Sequence, residues 1–355
     1  MPKKIIVVSL LFIALTGFKA ERSLHLYRFP DLRYFPSMPC AADNQVTVEG
    51  AQLGRYLFYD PILSKDNNLS CGSCHKQANA FSDAPLSFSK GGNGVLQTRN
   101  TPPLFNLAWY PALFWDGKAK SVEEQVFHPV RSSTEMQMDW KAVAERINKS
   151  AFYKARFDIV FPGKPIDSVL IAKAIAQFER TLISCRSKYD SVLNGLVFFT
   201  RDEVDGFEIV NDMTRGDCLH CHTTDGDALG TTLGFSNNGL DSARTFTGYT
   251  DRGRGQVTGV VQDNGKFKIP SLRNLRYTAP YMHDGRFMTL EQVVDFYSED
   301  VREGITTDSK MEFAHAGGSH LSAADKRKVI AFLNTLNDDA FVTDTSFSNP
   351  FVVNK

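Results

Sequence analysis

Cys71-Gly72-Ser73-Cys74-His75 and Cys218-Leu219-His220-Cys221-His222 are the stretches of this chain best equipped for chemistry. Each sets two thiols three positions apart, with an imidazole directly after the second. That spacing suits covalent attachment of a c-type haem: the thiols add across two vinyl groups, and the histidine reaches the iron as proximal ligand. A zinc site or a redox Cys-x-x-Cys would use the thiols but leave a histidine after each pair unexplained. The two motifs therefore predict two covalent haems. Cys40 and Cys185 complete the six cysteines. They read equally as a disulfide in an oxidising compartment or as two separate buried thiols.

The elements that must position these motifs occur twice. Residues 102–126 and 270–294 align without a gap. Pro102-Pro103-Leu104-Phe105-Asn106-Leu107 matches Pro270-Ser271-Leu272-Arg273-Asn274-Leu275, Trp115-Asp116-Gly117-Lys118 matches His283-Asp284-Gly285-Arg286, and Ser121-Val122-Glu123 matches Thr289-Leu290-Glu291. Near the end of each half, Ala176-Gln177-Phe178-Glu179-Arg180-Thr181-Leu182 matches Ile330-Ala331-Phe332-Leu333-Asn334-Thr335-Leu336. Each half reads as haem motif, loop, Asp-Gly turn, helix and terminal amphipathic helix. Ser322 to Asp325 forms a capping box before the helical stripe Val329, Ile330, Phe332, Leu333 and Leu336. Thr289 to Gln292 caps another helix, and residues 223–265 read as a long loop. Strand signal is weak throughout. The expected fold is mostly α-helical: two cytochrome c-like haem domains arising from duplication, residues 21–190 and 191–355.

Composition narrows the function further. With 355 residues the chain can bury two cores, and 40 basic against 40 acidic residues leave it formally neutral. A sequence-blind electrostatic grip on nucleic acid or an anionic membrane is excluded as its main activity. Met1-Pro2-Lys3-Lys4 followed by the apolar run Ile5 to Phe18 predicts a signal peptide, residues 1–20, and export to the periplasm, with an uncleaved anchor as the alternative. No later stretch is long and apolar enough to cross a bilayer, so an integral membrane protein is not expected.

Leu69-Ser70-Cys71-Gly72-Ser73-Cys74-His75, Arg99-Asn100-Thr101-Pro102, Phe114-Trp115-Asp116-Gly117, Glu123-Glu124-Gln125, Glu135-Met136, Phe267-Lys268-Ile269-Pro270-Ser271-Leu272-Arg273-Asn274 and Tyr281-Met282-His283-Asp284-Gly285 carry a resemblance. Over residues 45–340 the chain resembles the bacterial di-haem cytochrome c peroxidases and MauG proteins. The resemblance implies two cytochrome c-like domains with a calcium ion between them. It carries the calcium ligands to Asn100, Thr278 and Pro280, the distal acid–base group to Glu135, the peroxide-orienting amide to Gln125, and an electron bridge between the haems to Trp115.

A haem that reacts with peroxide needs an open sixth position and a proton shuttle beside it. The repeat projects Tyr297 onto Pro129. Tyr297 can close the second iron, whereas Pro129 has no ligating side chain and leaves the first open. This matches the resemblance, which places Met at that position in typical peroxidases and Tyr in MauG. A hydrogen-bonded core tyrosine is the alternative, with Met282, Met288, Met311, His315 and His320 as competing ligands of the second iron. Residues 76–99 contain no histidine, so the displaceable ligand of typical peroxidases is missing. Met136 and His128 remain as rivals at the first iron.

The leading expectation is a periplasmic di-haem peroxidase. It would reduce hydrogen peroxide with electrons from a small donor, a mono-haem cytochrome c or a cupredoxin. The alternatives are a MauG-like oxidase acting on a protein or small-molecule substrate at a distance, and a non-enzymatic electron carrier. The resemblance leaves monomer and homodimer open.

Overall fold

The computed structural model describes residues 23–39 and 41–352. The expected signal peptide and Cys40, with its pairing to Cys185, lie outside the described residues. The fold is mostly helical, as the periodicity implied. Its longer helices are α1 (Val48–Tyr59), α2 (Val122–Arg131), α3 (Trp140–Lys149), α4 (Ala151–Val160), α5 (Ser168–Thr181), α6 (Arg201–Asn211), α7 (Leu290–Asp295) and α8 (Ala323–Asn334). Among the described residues the only sheet is a two-residue antiparallel pair, β1 (Phe235–Ser236) with β2 (Phe267–Lys268).

Two helix crossings organise the molecule, α1 on α5 and α6 on α8. In the first, Leu53, Leu57 and Phe58 are buried along one face of α1, beside Ile171, Ala174, Ile175 and Phe178 of α5. Burying each of the leucine, isoleucine and phenylalanine side chains contributes roughly 1.5–3 kcal/mol. The crossing is close because α1 carries Gly54, where a Cβ would lie 1.9 Å from the Ala174 carbonyl oxygen and 2.9 Å from Phe178 Cβ. The second crossing repeats this contact. A Cβ on Gly206 would lie 2.0 Å from the Lys328 carbonyl oxygen and 2.9 Å from Phe332 Cβ.

The matched sequence stretches also share a backbone path. Asn106 and Asn274 both take left-handed φ, +55° and +62°, and each opens a 3-10 turn. Asn tolerates this region better than most residues because its short side chain can bond locally. Gly117 and Gly285, at φ +71° and +66°, close the Asp-Gly turns. Isolated bridges Leu113–Ala119 and Tyr281–Phe287 pin the two turns in the same register. Ser121 and Thr289 then cap α2 and α7. Here the halves part. The α2 helix runs on through Pro129, whereas α7 widens after Asp295 into the π-helical turn Phe296–Asp300, which the capping signal did not foretell.

Both ends of the described chain strap the halves together. Tyr34 and Pro36 carbonyls accept hydrogen bonds from Ala228 N (3.1 Å) and Trp109 Nε1 (2.9 Å). Beyond α8 the chain returns to the first half. Phe341 and Phe347 are buried with Phe58, Phe81 and Phe105, and the Phe347 carbonyl accepts from Tyr59 Oη at 2.8 Å. Arg273, only 1 % exposed, forms a buried ion pair with Asp190 between the α5–α6 connection and the loop after β2.

Candidate functional site

Each Cys-x-x-Cys-His motif lines its own cavity. The first cavity, about 760 Å³, is walled by Cys71, Cys74 and His75. The second, a narrower slot of about 230 Å³, is walled by Cys218, Cys221 and His222. The local causes differ. Ser70 and Ser73 form a reciprocal capping box that winds Cys71–Cys74 into one helical turn. Asp217, at φ +52°, starts the second motif as a turn instead. Both end alike, with His75 N donating to the Cys71 carbonyl (2.9 Å) and His222 N to the Cys218 carbonyl (2.8 Å).

The imidazoles are oriented as iron ligands require. His75 Nδ1 lies 2.8 Å from the Phe81 carbonyl oxygen, so the ring proton sits on Nδ1 and Nε2 is left as the donor atom. His222 Nδ1 faces the Gly230 carbonyl at 3.4 Å. A backbone acceptor on the far nitrogen is the usual way a metal-binding histidine is held. Burial pushes both imidazoles towards the neutral form, His222 down to about 4. Two thiols and one such imidazole on each cavity wall fit a covalent haem. Among the described residues no three His, Cys, Asp or Glu side chains converge on a metal site, so the four motif thiols do not assemble one zinc centre.

Gln125, Pro129, Glu135 and Met136 all line the first cavity. Gln125 and Pro129 come from α2, one turn apart. Glu135 follows in the loop, where its carbonyl accepts from Gly92 N at 3.0 Å. Burial raises the Glu135 carboxyl above its ordinary range, with Lys118 pulling it partly back. Desolvation favours the protonated form of this carboxyl. His128 lies off the cavity, its ring edge-on to Phe114 at 5.3 Å.

Tyr297 lines the second cavity from the π-helical turn, with Met282 and Met311 as fellow candidates. Asn238 Nδ2 donates to Tyr297 Oη at 2.8 Å, and burial holds the phenol far towards its protonated form. The other rivals are elsewhere. Met288 is exposed, His315 is engaged with the Glu312 carbonyl, and His320 bonds Glu299 and the Ala316 carbonyl.

Trp115 lines both cavities. Its indole Nε1 donates to the Asn100 carbonyl (2.8 Å), and Asn100 N donates to the carbonyl of His283 (2.7 Å), its counterpart in the repeat. One residue, through its two flanking peptides, therefore ties the two turns together. Asn100, Thr278 and Pro280 share the wall of the second cavity, and Asn100 Nδ2 is spent on the Leu86 and Ser87 carbonyls (3.3 and 3.1 Å). That leaves the amide oxygen as the free donor atom, a hard oxygen suited to calcium.

Two cavity residues were not singled out from the sequence, although both lie in stretches quoted above: Glu179, a buried carboxyl on the first wall, and Lys268 between the cavities. Neither stands in a spacing that marks a site; a comparison of Glu179 with Leu333 in the repeat would have flagged the first. Among the described residues no helix is long and apolar enough to cross a membrane.

Residues 48–197 match the family model for di-haem cytochrome c peroxidase. A methylamine utilization protein MauG of Methylophilus methylotrophus is 32% identical over 95% of both chains. A cytochrome c551 peroxidase of Nitrosomonas europaea is 31% identical over 96% of this chain and 93% of its own. In structure, the chain is similar to a MauG-like protein associated with microbial copper homeostasis, with TM-score 0.82, 31% identity, and 92% and 100% of the two chains covered.

Proposed function

Because the chain belongs to the di-haem cytochrome c peroxidase and MauG family, a family of oxidoreductases with two c-type haems, we propose that it is an exported, periplasmic di-haem peroxidase. It takes two electrons from a mono-haem cytochrome c or a cupredoxin and, with two protons, reduces hydrogen peroxide to two waters. Two cytochrome c-like domains, arising from duplication, carry one haem each. The matched crossings at Gly54 and Gly206 and the matched turns support that reading.

The haems, when bound, supply the one-electron redox chemistry. The protein's part is to hold, orient and move protons. Cys71, Cys74 and His75 fix the reacting haem, and Cys218, Cys221, His222 and Tyr297 fix the electron-receiving one. Glu135 takes the first proton from peroxide and returns it to the leaving oxygen. Gln125 orients the substrate with its amide, and Trp115 bridges the two sites. Asn100, with the carbonyls of Thr278 and Pro280, holds a calcium ion that keeps the two turns in register.

The observation that carries this reading is that Glu135 and Gln125 share one cavity with Cys71, Cys74 and His75, and that Pro129 stands there in the place of Tyr297. Steady-state peroxide consumption with a reduced mono-haem cytochrome tests it. Sustained turnover that Glu135→Gln slows by roughly 10²–10⁴-fold is expected; absence of turnover in a preparation carrying both haems overturns it. A MauG-like oxidase is the second reading. Tyr297 on the second cavity wall, held by Asn238, favours it. Slow turnover with prolonged storage of oxidising equivalents marks that outcome.

A further inference from the structure

Lys268, on β2, is 7 % exposed and lines both cavities. Its backbone N–H donates to the Trp115 carbonyl at 2.8 Å, which fixes it beside the bridging indole. The side chain also borders a small void shared with Tyr110 and Trp115, and Nζ sits 4.5 Å from the Tyr110 ring centroid. No described residue forms an ion pair or hydrogen bond with Nζ. The acids on the adjacent wall, Asp116 and Asp251, are both engaged by Arg99. Lysine is almost never fully buried without an anionic partner, and a buried ammonium is costly without one. Burial alone draws this one down to about 8. A ring face offers only a weak substitute for a counter-ion.

Each cavity is lined by one Cys-x-x-Cys-His motif, and a haem carries two propionate carboxylates on its periphery. We propose that Lys268 is the cationic anchor for a haem propionate at the junction of the two cavities, so that its charge helps set the redox potential there. This rests on the di-haem reading above. A carboxylate restores the missing partner and keeps the lysine protonated beside Trp115. The role is one of binding and positioning, since Lys268 neither meets peroxide nor ligates iron.

The test uses the full-length holoprotein, its Lys268→Met variant and its Lys268→Arg variant. Covalent haem is counted first, by haem staining and mass, and midpoint potentials are then read by spectroelectrochemical titration. Wild type without covalent haem defeats the di-haem reading itself. With two haems present, removing a cation favours the ferric state, so at least one midpoint potential falls in Lys268→Met and stays near wild type in Lys268→Arg. Two unchanged potentials in Lys268→Met, or an equal fall in Lys268→Arg, overturn the proposal. Should Lys268→Met fail to retain haem, retention in Lys268→Arg supports the anchor, and loss in both variants overturns it.

Discussion

Glu135 shows what a single position contributes. Its carboxyl is lifted by burial, so the acid limb of peroxide turnover should lie above the ordinary carboxylate range. Glu135→Gln should slow O–O cleavage by roughly 10²–10⁴-fold and erase that limb, with little change in the ferric spectrum; stopped-flow rates against pH measure both. Tyr297→Phe removes the oxygen that Asn238 holds in the second cavity. If Tyr297 ligates that iron, electron-paramagnetic spectra should change from low-spin to high-spin, and an unchanged spectrum would pass the role to Met282 or Met311. Glu179 is a different case. It is 3 % exposed, its Oε2 finds no partner among the described residues, and burial pushes it up to about 8 against the opposing pull of Arg180. The folded protein then keeps a proton that the unfolded chain releases above the normal carboxylate range. Stability should therefore fall as pH rises towards 8 and level off beyond it. Glu179→Leu, the residue of the matching position Leu333, should flatten that slope in urea melts at pH 5.5 and 8. Glu135, Gln125 and Trp115 were legible because they lie in recognisable stretches. Asn238 lies in no such stretch, and Glu179 and Lys268, though inside quoted stretches, were not singled out because their surroundings come from what faces them across a cavity.

At the level of elements, the repeat was readable because local residues dictate its turns. Asn106 and Asn274 accept left-handed φ, Gly117 and Gly285 close the Asp-Gly corners, and Ser121 and Thr289 start the helices. The π-helical turn after Asp295 was not readable. It depends on how Phe296 and Tyr297 pack with Leu240, Val301 and Met282, and no capping pattern encodes that. Such widened turns recur at functional positions, and here one delivers Tyr297. The helix crossings give a sharper test. Gly54→Ala and Gly206→Ala would each drive a methyl into a backbone carbonyl that cannot rotate away. Each should cost about 1–3 kcal/mol or more, seen as a lower denaturation midpoint. Gly163→Ala, with open space around its Cβ and φ +72°, should cost only its backbone strain.

For the whole molecule, the junction at Asn100 joins the two halves where their cavities meet. Its carbonyl receives the Trp115 indole and its N–H reaches the His283 carbonyl, so one residue links the two turns directly. Replacing His222 should leave both haems attached and block electron supply, whereas replacing His75 should abolish peroxide chemistry itself. Full steady-state turnover without His222 would reverse the assigned direction of electron flow. The return of the C-terminal segment to the first half was invisible in the sequence, since nothing in Phe341 or Phe347 names the partner they pack on. Phe341→Ala should cost about 3–5 kcal/mol, and its loss should be felt around His75 and Phe81 rather than in the half that precedes it in sequence. That segment also constrains how the protein is made. Domains generally fold as units during synthesis, the N-terminal one first. Here the earlier-synthesised core is left short of two aromatic side chains until residue 347 has emerged. The first half therefore stays incompletely packed until the last part of the chain arrives.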